Sequence, residues 1–128
     1  MAHRVGIDLV AVTEIRDAVR THGPAYLRRI YDLAELGDCS VGGELDARRL
    51  AARFAAKEAT IKALRPRRSD ALPWLEITVA GEPDSIPRVR LKGSVFQFAA
   101  RAGIIVTSLS LSYDDRLAMA VVVTETES

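Results

Sequence analysis

Several things are scarce in this chain of 128 residues. It has one cysteine, Cys39, and two histidines, His3 and His22. A lone thiol closes no internal disulfide, and no zinc-ligand spacing is present, so Cys39 reads as a bystander. Neither charge sign dominates: 18 Lys+Arg against 17 Asp+Glu leave a formal charge of +1, which argues against a dedicated nucleic-acid binder. No run approaches the roughly 20 apolar residues of a membrane span. Met1 to Gly6 lacks the uninterrupted apolar core of a signal peptide. A cytoplasmic protein with neither membrane nor nucleic acid as partner is expected. What is present is ordinary globular composition, 48% hydrophobic and 27% charged, in a length that suits one domain over residues 1–128. A core of that size folds without a metal or disulfide staple.

Charge is unevenly placed. Arginines crowd the stretch up to residue 68, Arg16, Arg20, Arg28, Arg29, Arg49, Arg53, Arg67 and Arg68 among them, while the chain ends Glu125-Thr126-Glu127-Ser128. A basic face is compatible with the neutral total, and so is a merely solvated surface.

Val5 to Val12 is a short apolar run that suits a buried strand, interrupted by Asp8. Thr13 can cap a helix through Ile15, Ala18 and Val19, stopped or restarted at Gly23-Pro24, with a short helix over Ala25 to Tyr31. Gly37 to Gly43 reads as loop. Asp46 is a good N-cap for the longest helical pattern, Ala47 to Leu64, with Leu50, Phe54, Ile61 and Leu64 recurring at helical spacing. Pro66 disfavours helix at Arg65 and releases a basic loop. The period then changes to two: Trp74 to Val79 and Arg88 to Leu91 read as strands around a turn at Ala80 to Pro87. A helix over Val95 to Ala102 is closed by Gly103, and strands Ile104 to Ser112 and Leu117 to Thr124 flank a turn at 113–116. This order indicates an α+β layer architecture.

Asp8 is the chemical anomaly, because an unpaired carboxylate in a buried strand costs several kcal/mol. Glu58 and Lys62 lie four apart and share a helix face. Two readings fit that spacing. In one, Glu58 and Lys62 make a surface ion pair and Asp8 caps something local. In the other, a strand acid and a helix acid hold a hard divalent cation such as Mg2+, which takes one or two carboxylates and fills its other positions with water and substrate phosphate. Arg49, Arg53 and Lys57 form a basic stripe at spacing four.

Gly6-Ile7-Asp8-Leu9-Val10, followed about 45 residues later by Arg53-Phe54-Ala55-Ala56-Lys57-Glu58-Ala59-Thr60-Ile61-Lys62-Ala63-Leu64, closely resembles the holo-acyl-carrier-protein synthase family, the small 4'-phosphopantetheinyl transferases. Pro87 to Gly93, Ser110-Leu111-Ser112 and Ala118 to Val122 extend the resemblance over nearly the whole chain. It implies that family's fold, an antiparallel sheet packed on one long helix and shorter helices. It also implies transfer of the phosphopantetheine arm of coenzyme A to a serine of an apo acyl carrier protein in fatty acid or polyketide synthesis, dependent on Mg2+. Carried over by position, Asp8 and Glu58 correspond to metal ligands and Lys62 to the residue that touches phosphate and the reacting centre. Arg53 and Lys57 correspond to residues of the nucleotide motif. The family implies a homotrimer and an acidic carrier partner, for which Arg16, Arg20, Arg28 and Arg29 are the docking candidates.

The chain departs from the family pattern in four places. Ala11 and Glu14 stand where acid-x-x-Arg is common, leaving Arg16 as the nearby substitute. Arg65-Pro66-Arg67-Arg68 replaces a Gly-Thr-Gly-like segment, so Arg67 and Arg68 become candidates for binding phosphate through guanidinium groups. Ser108 and Tyr113 occupy the places of two late-strand histidines, which leaves Asp114 or a metal-bound water to accept the serine proton. Ser85-Ile86 replaces a Gly-basic pair. These departures sustain a second reading: a catalytically weak or inactive homologue that binds coenzyme A or a carrier protein.

Overall fold

The computed structural model describes residues 1–81 and 86–127. Strand β1 (Ala2–Ala11) alternates as a one-sided strand should. Gly6, Asp8 and Val10 face inward, while Val5, Ile7 and Leu9 face out at 60%, 55% and 61% exposure. Helix α1 (Val12–Ile30) follows directly and breaks at Gly23 (φ 57°, ψ −140°) ahead of Pro24, so it is two helices end to end. Thr13 is not its cap. The cap position falls two residues earlier, on Ala11, and the Val12 N–H is satisfied by the Arg116 carbonyl at 2.9 Å.

The loop expected at 37–43 is largely ordered structure. Helix α2 (Leu33–Asp38) begins with a reciprocal capping box between Asp32 and Glu35. A small hairpin of β2 (Ser40–Val41) and β3 (Glu44–Leu45) turns through Gly42 and Gly43, whose φ values of 60° and 83° are those a two-residue hairpin loop requires.

Helix α3 (Ala47–Leu64) is the axis of the molecule, capped by Asp46 as expected. Ala51, Ala52, Ala55, Ala56, Ala59 and Ala63 are all at most 1% exposed, and their small side chains let neighbours approach on nearly every side. The approach of β1 is extreme: a Cβ on Gly6 would sit 1.8 Å from the Ala59 carbonyl oxygen. Only glycine permits that crossing.

The strand expected from Trp74 is shorter. Residues Trp74–Glu76 form a 3-10 turn, and the strand proper is β4 (Ile77–Ala80), paired with β5 (Arg88–Leu91). The turn between them lies largely outside the described residues. Helix α4 (Gly93–Arg101) opens under the Glu76 carboxylate, which accepts from Ser94 Oγ and from the Val95 N–H (3.1 Å) and is held below the usual carboxylate range by those donors. Strands β6 (Ile104–Tyr113) and β7 (Leu117–Thr126) close the fold in an antiparallel sheet of order β1-β7-β6. The inner face of this sheet, Val10, Ala118, Ala120 and Val122, packs with α1 and α3 in the main core; a second cluster of Leu64, Ile77, Val95, Ala99 and Ile104 seats α4. The α+β expectation holds, with the antiparallel sheet laid on the long helix. Among the described residues no helix is long and apolar enough to cross a membrane.

Helix α3 ends at Arg65 in the left-handed conformation (φ 52°, ψ 57°), the one described non-glycine residue with positive φ. That conformation costs an L-residue roughly 1 kcal/mol, and glycine is its usual occupant. Arg65→Gly is therefore expected to stabilise the protein by about 1 kcal/mol, raising Tm by roughly 3–5 °C in calorimetry. A lowered Tm would show that the Arg65 side chain contributes more than its backbone costs.

Candidate active site

The Gly6 crossing brings the carboxylate of Asp8, two residues further along the same face of β1, against α3. Lys62 Nζ donates to Asp8 Oδ1 at 2.9 Å and to the Ile7 carbonyl at 2.9 Å. The Asp8 side chain is 16% exposed and that of Lys62 54%, so the pair lies at the surface with its lysine open to solvent. Glu58 sits one turn before Lys62 on the same helix face. It does not pair with Lys62. Its Oε1 accepts instead from the indole Nε1 of Trp74 at 3.0 Å. The structure therefore joins Asp8 to Lys62 and leaves Glu58 one helical turn before Lys62 with a different partner, which disposes of a local Glu58–Lys62 pair.

Lys57 does not face this site. It is fully buried, and its ammonium donates to Glu35 Oε1 (2.8 Å) and to the Trp74 and Ile77 carbonyls (3.1 and 2.7 Å). Three donors meet three acceptors. Burial holds the Lys57 pKa below its ordinary value, and the adjacent Glu35 carboxylate opposes that shift. The cofactor contact expected of Lys57 gives way to a structural one, because α3 is enclosed on the side that carries Lys57.

Arg53 is also largely buried. Its Nη2 reaches Asp38 Oδ2 (3.4 Å) and the Gly81 carbonyl (3.3 Å), while the buried Nε has no partner among the described residues. With Asp38, Arg49, Pro87, Ser110 and Tyr113 it lines a cavity of about 410 Å3. Arg67 and Arg68 are exposed on the loop after α3, where Asp70 holds the turn by accepting from the Arg67 N–H (2.8 Å). Arg67 borders a separate cavity of about 450 Å3 against α4. Arg16, Arg20, Arg28 and Arg29 are exposed along α1, with Arg20 paired to Asp17 at 2.8 Å. Asp114 is engaged elsewhere. Its carboxylate accepts from the Arg116 and Leu117 N–H groups in the β6–β7 turn, which keeps its pKa low and makes it a poor base.

A model of the 4'-phosphopantetheinyl transferase superfamily matches residues 4–122. The chain belongs to this superfamily. Its relatives include the holo-[acyl-carrier-protein] synthase of Chloroflexus aurantiacus, 40% identical over 92% of this chain and 94% of that protein. The synthase of Desulforudis audaxviator is likewise 40% identical, covering 97% and 95%. Among solved structures, the Helicobacter pylori holo-[acyl-carrier-protein] synthase in complex with coenzyme A superposes with a TM-score of 0.80 at 29% identity, covering 94% of this chain and 99% of that one. The Mycobacterium tuberculosis acyl carrier protein synthase superposes at 0.72 with 33% identity and 97% coverage of both. The resemblance read from the two motifs is thus a family relationship, and this phosphopantetheinyl transferase carries Asp8, Glu58 and Lys62 where β1 meets α3.

Proposed function

We propose that this transferase moves the 4'-phosphopantetheine arm of coenzyme A to a serine hydroxyl of an apo acyl carrier protein in fatty acid or polyketide synthesis, with Mg2+ held by Asp8 and Glu58. The observation that carries the reading is the Lys62–Asp8 contact one helical turn from Glu58. The donor set fits the ion. Two carboxylates supply hard oxygen ligands, and among the described residues no cluster of three or more His, Cys, Asp or Glu exists that would suit a fully protein-ligated metal. Such an ion supplies charge neutralisation on phosphate oxygens.

In the reaction the serine oxygen forms a bond to the phosphorus bearing the pantetheine arm. The bond to the leaving phosphate breaks, and adenosine 3',5'-bisphosphate departs as the serine proton is lost. Phosphoryl transfer is accelerated mainly by positioning and by charge neutralisation. Lys62, half exposed and anchored on the Ile7 carbonyl, brings a cation to the phosphate oxygens. Arg53, which lines a cavity together with Arg49, and the exposed Arg67 and Arg68 are the further phosphate contacts. Arg16, Arg20, Arg28 and Arg29 form a basic surface for an acidic carrier.

The outer sheet face supports a homotrimer. Val5, Ile7 and Leu9 are exposed and pair with Val123, Val121 and Met119 in register, giving an apolar patch that a monomer would leave wet. Light scattering should return three times the 14.0 kDa chain mass. Leu9→Arg should return the single chain; a wild-type monomer would sink the assembly.

The deciding measurement is the intact mass of an apo acyl carrier protein incubated with this protein, coenzyme A and Mg2+. A gain of one phosphopantetheine unit, abolished by a chelator, is expected. No gain across several carriers by a protein that still binds coenzyme A would favour the non-catalytic homologue. In the same assay Arg67→Ala/Arg68→Ala should raise the coenzyme A concentration needed, and Arg16→Glu/Arg20→Glu the carrier concentration needed.

A further inference from the structure

We infer that Trp74 is a positioning residue whose indole N–H fixes the Glu58 carboxylate for cation binding. The inference deepens the proposed function and rests on its assignment of Glu58 as a ligand. Glu58 is half-buried on α3, and among the described residues its carboxylate has one hydrogen bond, Trp74 Nε1 to Oε1 at 3.0 Å. Lys62, the obvious local partner, is taken by Asp8.

Trp74 is held at two points, one on its backbone and one on its ring. The Trp74 carbonyl accepts from buried Lys57 Nζ at 3.1 Å, which ties the 3-10 turn to α3. The ring lies against Phe54 with centroids 5.8 Å apart and planes at 50°. Phe54, Lys57 and Glu58 all belong to α3, so one helix positions the indole that in turn positions its own carboxylate. A neutral donor suits this role, because it orders one oxygen without the competing positive charge that a lysine there would bring. The other oxygen has no hydrogen bond among the described residues. Groups that orient a ligand in this way typically change metal affinity or activity by about 10- to 100-fold.

Trp74 is the only tryptophan in the chain. Replacing all tryptophan with β-(3-benzothienyl)alanine during expression therefore changes this residue alone, keeping the bicyclic shape while exchanging N–H for sulfur. Trp74→Phe is the genetic counterpart. Two readouts are needed: the Mg2+ dependence of the transfer rate, and Mn2+ binding followed by the paramagnetic resonance of free Mn2+ with coenzyme A present.

Both replacements are expected to raise the half-saturating Mg2+ concentration and the Mn2+ Kd by at least tenfold, leaving kcat at saturating Mg2+ within about twofold. In a Glu58→Gln background Trp74→Phe should weaken Mn2+ binding no further. Unchanged Mn2+ affinity in the benzothienyl protein would overturn the inference, and so would an equal further loss on top of Glu58→Gln. Failure of the underlying reading shows separately, as a wild-type protein that binds no Mn2+ and transfers without Mg2+; that result overturns the inference as well.

Discussion

Asp8→Ala is expected to lower the rate of phosphopantetheine transfer by a factor of 100 or more while leaving the fold intact. The two halves of that expectation have different origins. On the proposed function Asp8 is a direct ligand to a catalytic ion, and such a ligand contributes several kcal/mol of transition-state stabilisation; about 3 kcal/mol corresponds to more than two decades in rate. The stability contribution of Asp8 is small by comparison. Its partner Lys62 is half exposed, ion pairs of that kind are worth at most about 1 kcal/mol, and Lys62 keeps the Ile7 carbonyl when Asp8 is gone. Asp8→Asn should behave like Asp8→Ala, because the isosteric amide restores shape without charge. Initial rates by carrier mass, set beside melting curves, test both halves. A fully active Asp8→Ala would remove Asp8 from the chemistry, whereas an inactive protein with a collapsed Tm would make its role structural.

Most of this architecture is legible in the sequence where local signals agree. Asp46 and Pro66 bracket α3 at both ends, and the change of period after Leu64 separates helix from strands. The Gly6-Ile7-Asp8 element stands out because an acid interrupts an apolar strand. The reason for its glycine is tertiary, a backbone contact with Ala59 that no local pattern reveals. Helix α2 has a legible signal in Asp32-Leu33-Ala34-Glu35, a capping box, but Gly37 and the glycine pair after it suggest loop more loudly. Lys57 is the instructive miss. At spacing four from Arg53 and Arg49 it reads as part of a basic stripe, and its partner Glu35 is 22 residues away on an element the pattern did not suggest. The clue lies in the alanines around it, which mark a helix enclosed on nearly every side. Trp74 likewise reads as a strand aromatic until the fold places its N–H on Glu58.

Glu35→Ala is expected to be the most damaging single truncation to stability. Glu35 is 2% exposed, and its carboxylate joins three elements: Oε1 accepts from Lys57 Nζ (2.8 Å) and the Asp32 N–H (3.1 Å), and Oε2 from the Val79 N–H (3.1 Å). Its removal leaves an ammonium without its counter-ion in the interior and orphans the Val79 N–H. Breaking one side of a buried pair typically costs about 3–5 kcal/mol, a large share of the 5–15 kcal/mol that holds a domain together, so a Tm loss of roughly 10 °C or more should follow. The pH dependence identifies the cause. Burial already lowers the Lys57 pKa from its ordinary 10.5, and without Glu35 nothing comparable opposes that shift. Between the folded pKa and 10.5 the unfolded chain then binds more protons than the native one, so the stability of the variant rises with pH. Cys39, whose thiol burial pushes up to about 11 with a smaller upward push from the Glu35 charge, acts the other way: its contribution is present below pH 9 and lost as pH rises through 11, and the loss is smaller in Glu35→Ala, which narrows the difference between the two proteins in the same direction. The difference in urea midpoint between wild type and Glu35→Ala should accordingly shrink from about pH 7 to about pH 10. A difference that stays constant up to about pH 9, below the range in which Cys39 titrates, would mean that the orphaned N–H and the lost packing, rather than the stranded Lys57 charge, account for the damage.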